Sequence, residues 1–239
     1  STKPGVFEYI FSKPSKNVTF HIEANAVSSS DYELEVVAVP TISNFEMTLQ
    51  FPGYLNRKTE IIKGSGNAIV PEGTKVSWKV EAFATNQIQF SDGQLLTTFS
   101  KEENLFKYNK SINQNTEYQI LTSNSKVKQY EKLNYQITTV KDQYPTITVN
   151  NAPDSLHVDK NVIIGQVSDD IGLHKLQIVY YPQNNDKAAL KSVLPVKKDV
   201  FDQFIFTFPG NLPVEEGVSY EYYFEVFDND ALHNFKSSK

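Results

Sequence analysis

A short pattern recurs along the chain: an aromatic-rich run with strand periodicity, a turn, a second such run, and then Pro-Thr-Ile. It occurs where Val18-Thr19-Phe20-His21-Ile22 leads to Tyr32-Glu33-Leu34-Glu35-Val36 and then to Pro40-Thr41-Ile42. It returns where Tyr118-Gln119-Ile120-Leu121 leads to Tyr135-Gln136-Ile137-Thr138-Thr139-Val140 and then to Pro145-Thr146-Ile147. Its first half appears a third time as Tyr220-Glu221-Tyr222-Tyr223-Phe224. A repeat of this kind means one supersecondary unit used several times, so each copy must fold in the same way.

Alternation with period two dominates between the copies. Val76, Trp78, Val80 and Ala82 share one face of a run whose other face carries Ser77, Lys79 and Glu81. Leu176, Ile178 and Tyr180 alternate with Gln177 and Val179, and Tyr220, Tyr222, Phe224 and Val226 alternate with Glu221, Tyr223 and Glu225. Turn signals separate the runs, among them Pro52-Gly53, Pro71-Glu72-Gly73 and Ser91-Asp92-Gly93. The best helical stretch, Lys187 to Leu194, reads equally well as a strand. Successive aromatic runs lie about 100 residues apart, the length of one immunoglobulin-like sandwich. The expected fold is therefore all-β: tandem immunoglobulin-like β-sandwiches in an elongated array.

The repeat also sets a register. Phe7 to Phe11, Leu105 to Tyr108 and Phe204 to Phe206 precede the aromatic runs and read as their partner strands, E before F and G. Residues 1–40 are then the last three strands of one sandwich, 41–143 a complete second one, and 144–239 a third whose last strand is missing or poor. Pro40 and Pro145 stand where one unit passes into the next; proline removes a ladder donor there and stiffens the joint, which predicts a semi-rigid rod. The chain opens in mid-pattern with no visible leader, as a segment of a longer protein would.

Composition narrows the function classes. The 239 residues carry a net charge of −5 and no basic stripe, which argues against nucleic-acid binding. No apolar run approaches the roughly 18–20 residues needed to span a bilayer. With no cysteine, disulfides, thiolate metal sites and a Cys nucleophile are excluded. His21, His157, His174 and His233 form no metal-ligand spacing, Gly64-Ser65-Gly66 lacks the context of a nucleophile elbow, and no phosphate-binding glycine motif occurs. The chain is expected not to be an enzyme.

One cluster has chemical content. Asp169 and Asp170 follow the run taken as strand B, and Asp228 and Asp230 follow strand F. Strands B and F run the same way in such a sandwich, so both acidic ends should meet at one pole, where carboxylate and amide oxygens suit Ca²⁺. The plainer reading makes them solvated turn residues. The second copy has Ala82-Phe83-Ala84 and Ser123-Asn124-Ser125 at these places, so a site would belong to the third copy alone. No other cofactor is expected. Tyr181 and Tyr223 point to the outer face and are candidates for a glycan or peptide contact, although outward aromatics more often pack across strands. Trp78, Tyr118 and Tyr222 read as core.

The run from Ile163 through Ser168-Asp169-Asp170-Ile171-Gly172-Leu173 to Tyr180 resembles the B–C hairpin of bacterial immunoglobulin-like and cadherin-like surface modules. With Tyr220-Glu221-Tyr222-Tyr223-Phe224-Glu225-Val226-Phe227-Asp228-Asn229-Asp230 and the stretches Phe51-Pro52-Gly53-Tyr54-Leu55 and Val70 to Ala82, the chain resembles the extracytoplasmic part of large Gram-negative envelope proteins. These pair membrane helices with repeated sandwiches. The resemblance implies a periplasmic or cell-surface segment, tethered by parts outside this sequence, that spaces, scaffolds or contacts a protein partner or its own flanking domains. It implies no membrane insertion by the segment itself and supplies no catalytic residues. The triplets Asn17-Val18-Thr19 and Asn109-Lys110-Ser111 are incidental in that setting. The alternative reading is a glycan- or peptide-binding module that uses exposed aromatics or an interdomain groove.

Overall fold

The computed structural model describes residues 5–151 and 162–239, and His157 lies outside them. The described residues are all-β, with strands joined by turns and three 3-10 turns. In chain order the strands are β1 (Val18–Phe20), β2 (Glu23–Ala24), β3 (Val27–Ser28), β4 (Tyr32–Leu34), β5 (Thr41–Gln50), β6 (Glu60–Lys63) and β7 (Ala68–Pro71). There follow β8 (Thr74–Phe83), β9 (Gln87–Ser91), β10 (Leu96–Thr98), β11 (Ser100–Glu102), β12 (Leu105–Ile112), β13 (Thr116–Ser123) and β14 (Lys132–Val140). The last are β15 (Thr146–Asn151), β16 (Val162–Ser168), β17 (Leu173–Pro182), β18 (Leu190–Leu194), β19 (Phe201–Thr207), β20 (Tyr220–Asp228) and β21 (Ser237–Ser238).

The chain divides into two compact units, the first comprising Ser1–Phe45, Lys79–Tyr108 and Tyr118–Asn134. Here β1 pairs antiparallel with β4, Phe20 opposite Tyr32, and β2 pairs with β3 inside the same hairpin. The Phe20 and Tyr32 rings stack at 5.6 Å, and Phe11 lies against Phe20 at 5.1 Å. The run Phe7 to Phe11, expected as a strand, has irregular backbone; Phe7, Tyr9 and Ile10 are exposed and give it no buried face to hold an extended ladder. β9 pairs antiparallel with both β10 and β13. Phe90, Tyr108, Tyr118 and Phe99 form its aromatic centre, with Phe90 stacked on Tyr118 at 4.9 Å.

The second unit comprises Glu46–Trp78, Asn109–Glu117 and Tyr135–Lys239. β5 pairs antiparallel with β6, and β7 runs parallel to β14. Trp78 is 1 % exposed, as its alternation with Val76 and Val80 requires. The described residues of 146–239 form a β-sandwich of a three-stranded sheet, β15-β16-β19, and a four-stranded sheet, β18-β17-β20-β21. Ile163, Val167 and Phe204 from one sheet meet Leu176, Ile178, Phe224 and Val226 from the other. Each such side chain stabilises the fold by about 1.5–3 kcal/mol when fully buried. Gly165 lets Phe204 pack across the strand pair, because a Cβ there would lie 2.1 Å from Phe204 Cζ.

Three expectations are corrected in this sandwich. The run from Ile163 to Tyr180 is no hairpin: β16 and β17 belong to different sheets, so the chain arches between layers at Asp169. The Asp169 carboxylate drives that arch by accepting the N–H groups of Ile171 (3.0 Å) and Gly172 (2.7 Å) through Oδ2. Gln177 and Val179 are buried although they alternate with core residues, because β17 is a central strand paired with β18 and β20. The helical alternative for Lys187 to Leu194 gives way to a short 3-10 turn and β18. The last strand, β21, is two residues long and pairs with Val226 and Phe227.

Candidate metal centre

β16 and β20 end at the same pole of the sandwich, and their acidic residues converge there with Asp142 from the segment between β14 and β15. One carboxylate oxygen from each of Asp142, Asp228 and Asp230 lies within 4.8 Å of the others, and the same holds for Asp142, Asp169 and Asp170. All four aspartates expected from the sequence are thus brought together. Asp142, common to both groups, was missed, as was the cation beside it. Lys236 Nζ donates to Asp230 Oδ2 and to the Asp142 main-chain oxygen, both at 2.9 Å. It also stands 3.7 Å from Asp142 Oδ2.

The backbone after β20 is built to return Lys236 to this place. Asp230 caps the 3-10 turn Ala231–His233 by accepting the Leu232 N–H at 2.9 Å. Asn234 and Phe235 then adopt left-handed φ values of 58° and 59°, which reverse the chain. Phe235 N–H donates to Asp230 O, Asp228 N–H donates to Lys236 O, and the Phe235 ring stacks on His174 at 4.4 Å. His233 donates from Nδ1 to Asp230 Oδ2, with Nε2 3.6 Å from Glu72. Leu232 packs so closely on the Pro71–Thr74 turn that a Cβ on Gly73 would lie 2.5 Å from Leu232 Cδ1. Every residue named in this centre belongs to the second unit.

Burial and mutual charge control the ionisation. Burial pushes the Asp142 carboxyl up to about 7; Lys236 opposes this, and Asp170, Asp230 and Asp228 add to it. Burial likewise raises Asp228, against the Asp230 N–H and Lys236. Burial acts upward on Asp230 too, but hydrogen bonds from Lys236 and His233 outweigh it and hold this carboxyl below its usual range. Burial alone would lower Lys236, but its bond to Asp230 reverses that and holds the ammonium above its ordinary value. Tyr54, in the 3-10 turn Gly53–Leu55, is raised by burial and then by the charges of Asp230, Asp142, Asp228 and Asp170. The centre is an all-oxygen carboxylate cluster with one fixed ammonium, able to hold a hard cation or protons.

Tyr181 and Tyr223 lie elsewhere, on the outer face of the β17–β20 pair, and both are half-buried. Tyr181 sits opposite Glu221, and Tyr223 opposite Val179. Burial and a hydrogen bond to Glu221 raise the Tyr181 phenol, while Lys239 lies over the Tyr223 ring at 5.2 Å.

No family model and no curated protein matches the chain. Similar solved structures include a cytokine receptor complex, 10 % identical over 64 % of this chain and 85 % of that chain, with a TM-score of 0.22. Another is the FN1–FN3 domains of chicken CNTN1, 9 % identical over 79 % of this chain and 84 % of that chain, with a TM-score of 0.21. Among the described residues, no helix is long and apolar enough to cross a membrane.

Proposed function

We propose that the chain is a non-catalytic spacer or scaffold segment of a larger envelope protein, built of the closing strands of one sandwich in 1–40, a complete sandwich in 41–143 and a third in 144–239 whose last strand is poor, and held outside the cytoplasm. It presents surfaces to a protein partner or to flanking domains of the same chain. The observation that carries this reading is the anchoring of the 229–236 loop within the second unit. Lys236 is tied to the main chain of Asp142, just upstream of the last sandwich, and Leu232 is seated against Gly73. Burying an ammonium among carboxylates is a costly way to gain stability, but it fixes geometry. Fixed geometry between successive modules is what a spacer requires.

The absence of cysteine makes a direct test simple. Ile69 and Val193 are 73 % and 67 % exposed, so Ile69→Cys and Val193→Cys accept spin labels without touching a core. Pulsed dipolar spectroscopy should give one narrow distance distribution that broadens in Lys236→Ala. A broad distribution in the otherwise unaltered chain would overturn the spacer reading.

A further inference from the structure

Several oxygens in the aspartate centre are buried and receive no hydrogen bond. The Asp142 side chain is 3 % exposed, yet neither Oδ1 nor Oδ2 has a hydrogen-bond partner. Asp228 is wholly buried; its Oδ1 accepts the Asp230 N–H at 3.1 Å and its Oδ2 is unpaired. Asp169 spends Oδ2 on the arch and leaves Oδ1 unpaired, and Asn229 Oδ1 is unpaired as well. A buried carboxylate oxygen without a partner is strongly unfavourable, and a single ammonium cannot answer all of these.

We propose that Asp142, Asp169, Asp170, Asp228 and Asp230 form a site for a divalent cation of the calcium class, with Asp142 as the shared ligand and Lys236 as a fixed positive neighbour that limits affinity. The inference does not rest on the spacer reading.

Geometry and chemistry agree on the ion. Ca²⁺ binds oxygen at about 2.3–2.6 Å, so two of its ligand atoms lie no more than about 5 Å apart. Both aspartate triads meet that limit, and they share Asp142. The ligand set is entirely oxygen, and the one nearby imidazole nitrogen, His233 Nδ1, is already engaged on Asp230. Hard oxygen ligands select Ca²⁺ or Mg²⁺ over zinc or copper. Many converging carboxylates in an irregular arrangement favour Ca²⁺, because Mg²⁺ demands a strict octahedron and retains its waters. Lys236 compensates only part of the negative charge; the groups facing it are Asp142, Asp230 and Asp228, with Tyr54, Glu72 and His233 around them.

Calorimetric titration of CaCl₂ into the chelator-treated full chain tests this. One site with a dissociation constant of about 0.1–1 mM is expected, the range of extracellular modules. Asp142→Asn should weaken it at least tenfold, Lys236→Met should tighten it several-fold, and Asp186→Asn, at an exposed turn, should leave it unchanged. No heat at about 10 mM Ca²⁺, ten times the weakest expected constant, would overturn the site. So would binding that Asp142→Asn leaves intact, or an equal response to MgCl₂. If Asp142→Asn fails to fold, Tb³⁺ bound to the unaltered chain supplies the answer. Its tyrosine-sensitised emission should be displaced by Ca²⁺ and reduced by Tyr54→Phe; emission indifferent to both overturns the proposal.

Discussion

The ammonium of Lys236 donates to the main-chain oxygen of Asp142, 94 residues earlier, at 2.9 Å, and to the Asp230 carboxylate at the same distance. Lys236 is 11 % exposed in its side chain, and Asp230 not at all. One residue therefore ties the end of the chain to the segment that enters the last sandwich, and does so through a buried charge.

Removing that charge should be costly. Lys236→Met keeps most of the side-chain volume but leaves Asp230 and Asp142 without their cation. Breaking a buried pair from one side costs about 3–5 kcal/mol. Asp142→Asn deletes instead a carboxylate that burial already opposes, and should cost far less or even stabilise. Urea unfolding in chelator should rank Lys236→Met well below the parent, with Asp142→Asn near it. The reverse order would show that Asp142, not Lys236, is the keystone.

Stability should also fall as the pH rises through the neutral range in the absence of divalent ions. Asp142 is pushed up to about 7, whereas an aspartate in the unfolded chain titrates near 3.9. The folded state thus keeps a proton that the unfolded state releases. The associated stability is fully present below about pH 4 and is lost as pH rises towards about 7. Asp228, raised as well, acts in the same direction, while Asp230, held low, contributes stability that is lost only as the pH falls. The difference in melting temperature between the parent and Asp142→Asn should grow from pH 4.5 to 7.5, in favour of the variant, corresponding to a few kcal/mol at about 1.4 kcal/mol per unit. A difference that stays flat with pH would rule out Asp142 as the titrating group.

Gly73 supplies a separate test of how the 229–236 loop is seated. Its φ of +80° already disfavours a side chain, and a Cβ would press on Leu232. The conformational part costs about 1–2 kcal/mol for an L-residue, and forced overpacking adds about 1–3 kcal/mol. Gly73→Ala should therefore lose roughly 2–5 kcal/mol in the parent but only the conformational share in a Leu232→Ala background. Additive costs in that double-mutant cycle would mean that Leu232 does not bear on the turn.

The sequence announced strands and turns well, because β-periodicity is local, and it placed Asp169, Asp170, Asp228 and Asp230 at strand ends that share a pole. It was silent on Asp142, which lies outside any periodic run, in the stretch between β14 and Pro145. It was equally silent on Lys236, which reaches the centre only through two left-handed residues, Asn234 and Phe235, that carry no glycine to signal a reversal. The polar run Ser168-Asp169-Asp170 and Gly172 mark a turn, but a turn signal does not distinguish a hairpin from an arch between sheets. The burial of Gln177 is a tertiary matter: its amide donates to Glu225 Oε2 at 2.6 Å, and the other Glu225 oxygen accepts the Ser237 hydroxyl. That network depends on the two-residue β21, too short to be recognised from propensity.

The first unit solves a comparable problem with a neutral side chain. Asn124, 8 % exposed, donates from Nδ2 to the main-chain oxygens of Ala38 (2.8 Å) and Ala84 (3.0 Å). Its Oδ1 accepts the N–H groups of Lys126 (3.0 Å) and Val127 (2.8 Å). Both amide protons and both acceptor sites are thereby engaged. Beside it Thr122 Oγ1 donates to Pro40 O at 3.1 Å and the Ile42 N–H donates to Glu131 Oε2 at 2.8 Å, so the approach to β5 is held by two neutral side chains and a carboxylate where the later segment uses the Lys236 ammonium. Asn124→Ala leaves two carbonyls and two N–H groups to find water, at about 1–3 kcal/mol for each group that stays buried. A net loss of roughly 2–4 kcal/mol is expected. Asn124→Asp should fare no better, since it replaces the one NH₂ group that makes both donations with an oxygen that faces the Ala38 and Ala84 carbonyls. Hydrogen exchange gives a local reading: the amides of Lys126 and Val127 should exchange at least tenfold faster in Asn124→Ala, while those of β20 are unchanged. Unaltered protection at Lys126 and Val127 would show that the loop is held by its backbone and not by this side chain.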